Sequence, residues 1–454
     1  MTFTNHSPWV EQLDDSIDYP ALSVDKKSDI VVIWGGISGI STAFQILTQT
    51  ELTVSLVEAK KIARGATGHN AGQVVLYFEK PFQEIVREYG LPKAIDGQKS
   101  LFRGFDILQE MMEKIDILEH LEMCEGFMGV RSMEQLSLHL ENKYLRDTGW
   151  AQFDAIFVDR QWEHEHDIPA QFRDLITLVD AAYISEKLET KEYFPVLLTS
   201  KKACTNSAFF CQKAVEYLVS QFPHRFSVYE HSPVTEIRFC PESDNQVWAG
   251  EYKIDTQEVV LCTNWFEHFH IVDLCRSDSR ERDRIFHKNV HGLVGYMAWF
   301  FAEHGRASAI SYYPESSPAD WQSEKYFYVT RRTTYQNEQK ISLICVGWPD
   351  SLMPHEIPYD EATHDPKEAY HEIRDFLREY RSEKIPHEFP YQWHGLMGYT
   401  HTGIRYIGQD PHTHHLWYNL GCNGVGIVWS AYGGWKIAKI LSGTSFEPSI
   451  FDPE

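Results

Sequence analysis

The sequence lacks several features that would place it in well-known classes. It has no run of the roughly 18 apolar residues that a membrane helix needs, and its acidic start, MTFTNHSPWVEQLDDSIDYP, has no secretory-signal pattern. It is poor in basic residues, since 42 Lys and Arg stand against 65 Asp and Glu and give a net charge of −23. We therefore expect no membrane span and no binding to nucleic acid.

Paired metal-ligand and hydrolase motifs are absent as well. The eight cysteines are scattered without a CxxC pair, which in a chain of this size predicts reduced thiols and a cytoplasmic location. The histidine groups at 164–166 and 412–415 lack zinc-site spacing, so solvated loops are expected and no metal is predicted. No GxSxG, P-loop or HExxH motif appears.

One stretch near the start does carry a recognisable pattern, DIVVIWGGISGISTAF at residues 29–44. It predicts a buried strand at 30–34 and a helix at about 37–49, and a second strand follows at 52–59. Gly36 lies where backbone must approach a pyrophosphate, and Gly39 where helix and strand must pack closely. Glu58 follows Gly36 by 22 residues, where a carboxylate can accept both ribose hydroxyls. The unit therefore predicts dinucleotide binding.

Trp34 departs from this pattern, because a glycine is expected at that corner. A Cβ there costs strain of about 1–3 kcal/mol, and an indole adds bulk beside the pyrophosphate unless it rotates under the helix. We expect weakened but not abolished cofactor binding.

Periodicity assigns several further segments. Residues 95–147 are predicted to be helical, with an amphipathic helix at 101–121. Residues 226–239 alternate like a strand, and 258–266 form an apolar run. FYVTRRTTYQ (327–336) and ISLICVGW (341–348) are predicted to pair as antiparallel strands.

Two glycine-rich blocks then suggest a family. RGATGHNAGQ (64–73) and TGIRYIGQDP…LGCNGVGIVWSAYGG near the C-terminus resemble the FAD-dependent amine and amino-acid oxidases of the D-amino-acid oxidase type. Within that family the chain most resembles the gamma-glutamylputrescine oxidase and glycine oxidase branches. The resemblance also covers the arm with Trp9, the VTEI strand and LCTNW.

The resemblance implies an α/β fold with a discontinuous Rossmann-type FAD-binding domain and an α+β substrate domain with an antiparallel sheet. The predicted boundaries are an arm at 1–27, an FAD-binding domain at 28–95, 200–266 and 390–454, and a substrate domain at 96–199 and 267–389. The predicted FAD-binding residues are Gly35, Gly36, Ile37, Ser38, Gly39, Glu58, Ala59, Arg64, Ala66, Thr67, His69, Asn70, Ala71, Gly72, Val234, Thr263, Gly424, Val425, Gly426 and Ile427.

His69 allows two interpretations. Many relatives have Arg here, whereas the dimethylglycine and sarcosine dehydrogenase branch has a histidine hereabouts that bonds covalently to the flavin. A neutral imidazole is a competent nucleophile, so a covalent linkage is one hypothesis. A hydrogen bond to the cofactor or the loop is the other.

Candidate substrate ligands are Tyr328, Arg331, Arg332 and Arg405, the last at a position where relatives usually have proline. Arginine binds a carboxylate in a bidentate way, although arginines in an acidic chain often pair with surface carboxylates instead. No catalytic residue is assigned.

The resemblance implies that hydride passes from the carbon of a C–N bond of an amine or amino acid to FAD, and that water hydrolyses the imine product. The electron acceptor would be oxygen or another acceptor, as in a dehydrogenase. A flavin-binding protein without catalysis, with Trp34 marking a degraded motif, is the alternative from a different class.

Overall fold

The computed structural model describes residues 5–150, 154–241, 243–264, 269–275, 290–314, 326–336, 339–353, 359 and 367–453. Its α-helices are α1 (Pro8–Glu11), α2 (Ile37–Gln49), α3 (Phe82–Tyr89), α4 (Leu91–Lys114), α5 (Met133–Gly149), α6 (Arg160–His164), α7 (Ala181–Leu188), α8 (Ser207–Gln221), α9 (Lys367–Tyr380) and α10 (Gly426–Leu441), with short 3-10 helices at Leu118–His120 and Ala170–Leu175. Its strands are β1 (Lys26–Ile33), β2 (Val54–Val57), β3 (Gln73–Val74), β4 (Glu122–Val130), β5 (Ala155–Asp159), β6 (Ile176–Val179), β7 (Val196–Cys204), β8 (Phe226–Tyr229), β9 (Val234–Phe239), β10 (Asn245–Ala249), β11 (Tyr252–Leu261), β12 (His270–Asp273), β13 (Val290–Ala302), β14 (Ser308–Tyr312), β15 (Phe327–Gln336), β16 (Gln339–Leu352), β17 (Tyr391–Thr400), β18 (Tyr406–Gln409) and β19 (Leu416–Leu420).

The first sheet is built around the predicted βαβ unit. Strands β8, β2, β1, β11 and β19 lie side by side in parallel, and α2 connects β1 to β2. Strands β10, β9 and β12 extend this sheet beyond β11, and β18 pairs with β19. In an open parallel sheet, ligands bind in the crevice outside the carboxyl ends of the strands. The turns after β1 and β11 therefore mark where a ligand is expected.

The second sheet is mostly antiparallel, in the order β17-β13-β16-β15-β14-β4-β7-β5-β6. The predicted pairing of 327–336 with 341–348 is confirmed, since β15 and β16 are antiparallel neighbours with Tyr328 opposite Gly347. The short strand β3 pairs with β7, so the chain leaving the first sheet joins the second sheet at an inner strand. The mixed α/β fold class is confirmed.

The buried cores follow these layers. Helix α10 packs against α2 and α4, and their apolar faces bury the largest core together with one face of the first sheet. Helix α9 packs on β13 and β16 of the second sheet. No helix in the described ranges is long and apolar enough to cross a membrane.

Two segment predictions are corrected. The strand predicted at 226–239 is two strands, because the chain turns between Tyr229 and Val234 and His231 has a φ of 50°. The helical segment predicted at 95–147 is interrupted by β4, which pairs with β7 and β14. Pairing with strands distant in sequence overrides a local helical period.

The predicted domain boundaries remain predictions, and sheet membership crosses them in places. Strand β7 begins four residues before the predicted boundary at 200, and β17 joins the second sheet although 390–454 is assigned to the FAD-binding domain. Helix α4, assigned from residue 96 to the substrate domain, buries its apolar face in the core of the first sheet. Strand β1 already begins at Lys26, inside the predicted arm.

Candidate functional site

A cavity of about 740 Å³ runs from the carboxyl end of β1 to the inner strands of the second sheet. Most of the residues predicted to hold a cofactor lie on its wall, although they come from separate parts of the chain. These are Gly36, Ile37, Ser38, Glu58, Ala59, Arg64, Ala66, Thr67, His69, Asn70, Ala71, Gly72, Thr263, Gly424, Val425, Gly426 and Ile427. The fold thus brings four separate segments of the chain to one cavity.

Three of the predicted cofactor residues do not line the cavity, and two of these support its wall. The Gly35 N–H donates to Glu58 at 2.7 Å. A Cβ at Gly39 would lie 1.9 Å from the Trp34 carbonyl oxygen, so only glycine allows α2 to pack this closely on the corner. Val234 begins β9 and packs against the core on the other face of the sheet.

Trp34 adopts the backbone conformation that a glycine would favour, with a φ of 97°. Its indole has not rotated under the helix. The ring lies 3.8 Å from a Cβ built at Gly36 and 3.7 Å from one built at Gly65, and it forms part of the cavity wall. The side chain therefore stands between the two glycine loops, where the pattern predicts a pyrophosphate.

Glu58 directly follows β2, the second strand of the βαβ unit, and is buried. Its two carboxylate oxygens accept N–H groups of Gly35 and Lys60, at 2.7 and 2.8 Å. Burial raises the pKa of this carboxyl, while the two backbone bonds act in the opposite direction. The backbone thus fixes the carboxylate at the cavity wall, where its remaining lone pairs can accept hydroxyl groups.

The loop after β2 closes over the start of α2. Thr67 accepts the Ile37 N–H at 2.9 Å, and the Asn70 side chain donates to the Thr67 carbonyl at 2.8 Å. The buried Trp9 ring of the arm donates its indole N–H to the Asn70 carbonyl at 2.5 Å. The arm, which is one of the segments that resemble the family, thus stabilises this loop from its outer side.

His69 is buried in the same loop and contacts the Gly65 carbonyl through Nδ1 at 3.0 Å. A carbonyl accepts only, so Nδ1 carries the proton in this contact. A neutral imidazole of that tautomer has its lone pair on Nε2, which is the form that a nucleophilic histidine needs.

Arg405 lies at the N-terminal end of α2 rather than among the tyrosines of the second sheet. Its guanidinium donates to Ser38 Oγ at 2.6 Å and to the Asn419 side-chain and main-chain oxygens, both at 2.8 Å. Only 4% of the residue is exposed, and burial lowers the pKa of Arg405 to about 10. None of its contacts within the described ranges is a carboxylate. The Arg405 guanidinium is therefore a buried cation on the cavity wall, without a carboxylate partner among the described residues.

The C-terminal glycine block opens α10 at the same cavity. Gly424 has a φ of 75°, and a Cβ there would lie 2.7 Å from the Tyr399 hydroxyl. Helix α10 begins at Gly426 without a side-chain cap. Its first N–H groups and positive dipole end therefore face the cavity, where they favour negative charge.

The second sheet and the segment between β3 and α3 close the far end of the cavity with phenols and two carboxylates. Together we call these residues the tyrosine chamber: Tyr77, Glu79, Tyr326, Tyr328, Asp350 and Tyr399. Tyr326 donates to Glu79, and Tyr399 donates to Asp350, each at 3.4 Å. Burial raises the pKa of Glu79 to about 7 and that of Asp350 to about 7, and for Glu79 the neighbouring Asp350 adds to the rise.

The structure places two of the predicted substrate ligands outside the cavity. Arg331 lies outside the cavity and forms ion pairs with Glu189 at 2.6 Å and Glu383 at 2.8 Å. Arg332 also lies outside it, with its guanidinium 5.2 Å from the Trp9 ring centre. Tyr328 does line the chamber. Its ring packs against Gly347, where a Cβ would come within 1.8 Å of it.

Sequence reasoning missed both chamber carboxylates. Glu79 stands in a turn-rich segment, and Asp350 follows the predicted strand 341–348 by two residues, so neither forms a motif with a neighbour in sequence. A carboxylate after an apolar strand was the one available signal for Asp350.

One cluster elsewhere has metal-ligand chemistry, formed by Asp18, Glu230 and His231. Asp18 forms an ion pair with Lys61 at 3.0 Å, and Glu230 accepts the Tyr19 and Ile62 N–H groups. Internal partners already use these carboxylates.

We expect Asp350→Asn to raise the midpoint of thermal unfolding at pH 8, and to raise it less at pH 5. In an unfolded chain this carboxyl ionises near its ordinary pKa of 3.8, whereas the folded protein retains the proton to about 7. The folded state therefore loses stability as the pH rises through this window, and the amide removes that loss. Thermal melts at both pH values check this. Glu303→Gln, at an exposed carboxylate outside the cavity, is the control, and a lower midpoint for Asp350→Asn at pH 8 would contradict the assignment.

Comparison with known proteins agrees with this geometry. The family model described as FAD dependent oxidoreductase matches residues 29–440, so the chain belongs to that family. Among solved structures, glycine oxidase from Geobacillus kaustophilus superposes with a TM-score of 0.61 at 13% identity, covering 94% of this chain and 98% of that one. L-amino acid deaminase from Proteus vulgaris superposes with a TM-score of 0.60 at 14% identity, covering 96% and 98%. At these identities the likeness shows the fold alone.

Matches to curated relatives cover shorter stretches. A putative Rieske 2Fe-2S iron-sulfur protein of Bacillus subtilis is 36% identical over 111 residues, which is 24% of this chain and 21% of that protein. Gamma-glutamylputrescine oxidoreductase of Escherichia coli is 27% identical over 117 residues, or 26% and 27%. The matched stretches thus span about a fifth to a quarter of these relatives.

Proposed function

We propose that the chain oxidises the C–N bond of a small amine or amino acid, with FAD held along the cavity. The observation that supports this most is the continuity of the cavity from Glu58 to the tyrosine chamber. A dinucleotide needs a hydrogen-bond acceptor for its ribose hydroxyls, a backbone that comes close to its pyrophosphate, and helix N-termini whose dipoles favour the phosphates. All three features lie on the wall of this cavity. The residues fit the cofactor that the family uses.

The proposed FAD contacts divide along the cavity. Glu58 would accept the ribose hydroxyls, and the start of α2 with Gly36 and Ser38 would face the pyrophosphate. The loop from Ala66 to Gly72 and the start of α10 would enclose the flavin. Arg405 fits the pyrophosphate better than a substrate, because it lies beside Ser38.

When bound, FAD supplies the hydride acceptor for the oxidation. The chain's own residues orient the substrate and limit access of water. The tyrosine chamber holds the reacting nitrogen, and its carboxylates can take the proton that an ammonium must lose before its carbon gives up hydride. The substrate leaves as an imine, which water hydrolyses to a carbonyl compound and an amine.

The test is anaerobic mixing of the purified protein with panels of amines and amino acids. We expect at least one compound to bleach the oxidised flavin and to yield one carbonyl product per flavin. A coloured protein that none of the panel reduces would instead favour the flavin-binding, non-catalytic alternative. Peroxide formed on readmitting air would identify oxygen as the electron acceptor, and the absence of peroxide would indicate another electron carrier.

A cytoplasmic location of the protein remains a prediction.

For His69 we expect one of two clear outcomes on acid precipitation. If Nε2 is bonded to the flavin, the pellet stays yellow, and His69→Ala releases the colour to the supernatant. Free FAD in the supernatant of the unmutated protein rejects the linkage and leaves His69 in a hydrogen-bonding role. His394→Ala, at another cavity-lining histidine, is the control.

A further inference from the structure

The charges along the cavity are divided between its two ends. The cationic side chains that line it within the described ranges are Lys60, Arg64 and Arg405, and all three belong to the elements around the first sheet. The tyrosine chamber contributes two carboxylates to the wall. Lys202 does not line the cavity; its ammonium lies 5.4 Å from the Tyr77 ring centre, and its charge lowers the pKa of Glu79. A carboxylate-bearing ligand would find no arginine fork there among the described residues.

The chamber carboxylates have weak internal partners. Each accepts a phenol hydrogen bond at 3.4 Å, well beyond the usual 2.5–3.0 Å of an O–H···O bond. Both carboxylates are half-buried, and removing a carboxylate from water without a close partner is costly. A cationic ligand would remove that cost, whereas an anionic ligand would add to it.

The phenols complete a surface suited to an organic cation. Tyr326 and Tyr328 face the cavity with ring centres 6.0 Å apart and planes inclined by 54°, and Tyr313 stacks behind Tyr326 at 4.6 Å. Aromatic faces attract ammonium groups, and several faces around one site form a cage for them. Burial raises the pKa of both ring hydroxyls, so they stay neutral.

We propose that Glu79 and Asp350, enclosed by Tyr326 and Tyr328, select an aliphatic ammonium that carries no carboxylate next to the reacting nitrogen. The inference rests on the proposed function, and it excludes α-amino acids as the preferred substrates. Amines with a second positively charged nitrogen would use both carboxylates.

The test compares two ligands of similar shape and opposite charge, tert-butylammonium and pivalate. Neither has a hydrogen on the carbon beside its charged group, so neither can be oxidised. Each is titrated into the flavin-loaded protein, followed by the flavin difference spectrum and by the shift in the thermal midpoint. We expect saturable binding of the ammonium and none of pivalate over the same range.

Three variants complete the design. Glu79→Gln and Asp350→Asn are each expected to weaken tert-butylammonium binding by about tenfold or more, as for loss of a charged hydrogen bond. Glu303→Gln, outside the cavity, is expected to leave it unchanged. Equal or tighter binding of pivalate, or amide variants that bind the ammonium as well as the parent, would overturn the inference.

The pH dependence offers a second readout. Binding is expected to tighten between pH 6 and pH 8, because both carboxyls ionise near 7 while an aliphatic ammonium stays charged. Among the described residues, the titratable side chains that interact electrostatically with one or both carboxylates are Tyr77, Lys202, Tyr296, Tyr326, Tyr328, Tyr399 and Cys422. A flat profile from pH 6 to 8 would count against recognition by these carboxylates.

The outcome is separable from that of the proposed function. Ammonium binding without reduction of the flavin by any amine would leave the recognition site standing and reject the oxidation. Reduction of the flavin by α-amino acids in preference to amines would support the oxidation and reject the recognition site.

Discussion

Trp34→Gly is expected to tighten FAD binding by about 5- to 150-fold, which corresponds to about 1–3 kcal/mol, because it removes the indole from the path of the pyrophosphate. The indole forms the cavity wall between Gly36 and Gly65, where the backbone of α2 must approach the pyrophosphate. Trp34 has a φ of 97°, and the resulting backbone strain is present with or without cofactor. It therefore weakens binding only if the strain is larger in the FAD-bound protein than in the apoprotein. The main expected gain comes from clearing the side chain.

Trp34→Ala separates the two causes, because it removes the indole and keeps a Cβ at the positive φ. Equal tightening in both variants assigns the effect to the indole, and tightening in the glycine variant alone assigns it to the backbone. The measurement is FAD titration of the apoproteins. Unchanged affinity in both variants would show that the indole is accommodated, and weaker binding would mean that the indole contacts the cofactor.

Arg405→Met is expected to lower FAD affinity by about 10- to 150-fold, the 1.5–3 kcal/mol of a hydrogen bond to a charged group. The guanidinium is buried beside Ser38 at the start of α2 and lies 3.9 Å from a Cβ built at Gly426. A pyrophosphate would be the counter-ion that its described contacts lack, and methionine fills a similar volume without charge.

Arg405→Lys is the matched control, since it retains the charge but not the fork that holds Asn419. If the charge matters, lysine recovers much of the affinity for FAD and for ADP, while adenosine binds all variants alike. If Arg405 only positions Asn419, lysine and methionine weaken binding equally and adenosine is affected as well. Full affinity in Arg405→Met would remove the residue from the cofactor site.

The parts of this site that could be predicted are those encoded in consecutive residues. The βαβ unit, the loop after β2 and the start of α10 each have a local reason for their sequence, namely a close backbone approach or a helix N-terminus. Glu58 could be placed because its distance from Gly36 is set by one helix and one strand.

The substrate end could not be predicted in this way, because its residues meet only through contacts between segments that are distant in sequence. Tyr328 and Asp350 lie on neighbouring strands, and Tyr399 reaches them from β17 on the far side of β13. Arg331 looked like a carboxylate ligand in sequence, yet Glu189 and Glu383, distant along the chain, take up its guanidinium. Charge alone did not reveal which arginines face the cavity.

We predict that the cavity binds FAD with Trp34 at its corner. The most direct measurement is the flavin content of the purified protein, together with an FAD titration of any colourless fraction. We predict a yellow protein that carries or takes up one FAD per chain, with Glu58→Gln binding it more weakly. A colourless protein that takes up no FAD, and that gains none when Trp34 is replaced by glycine, would contradict the account.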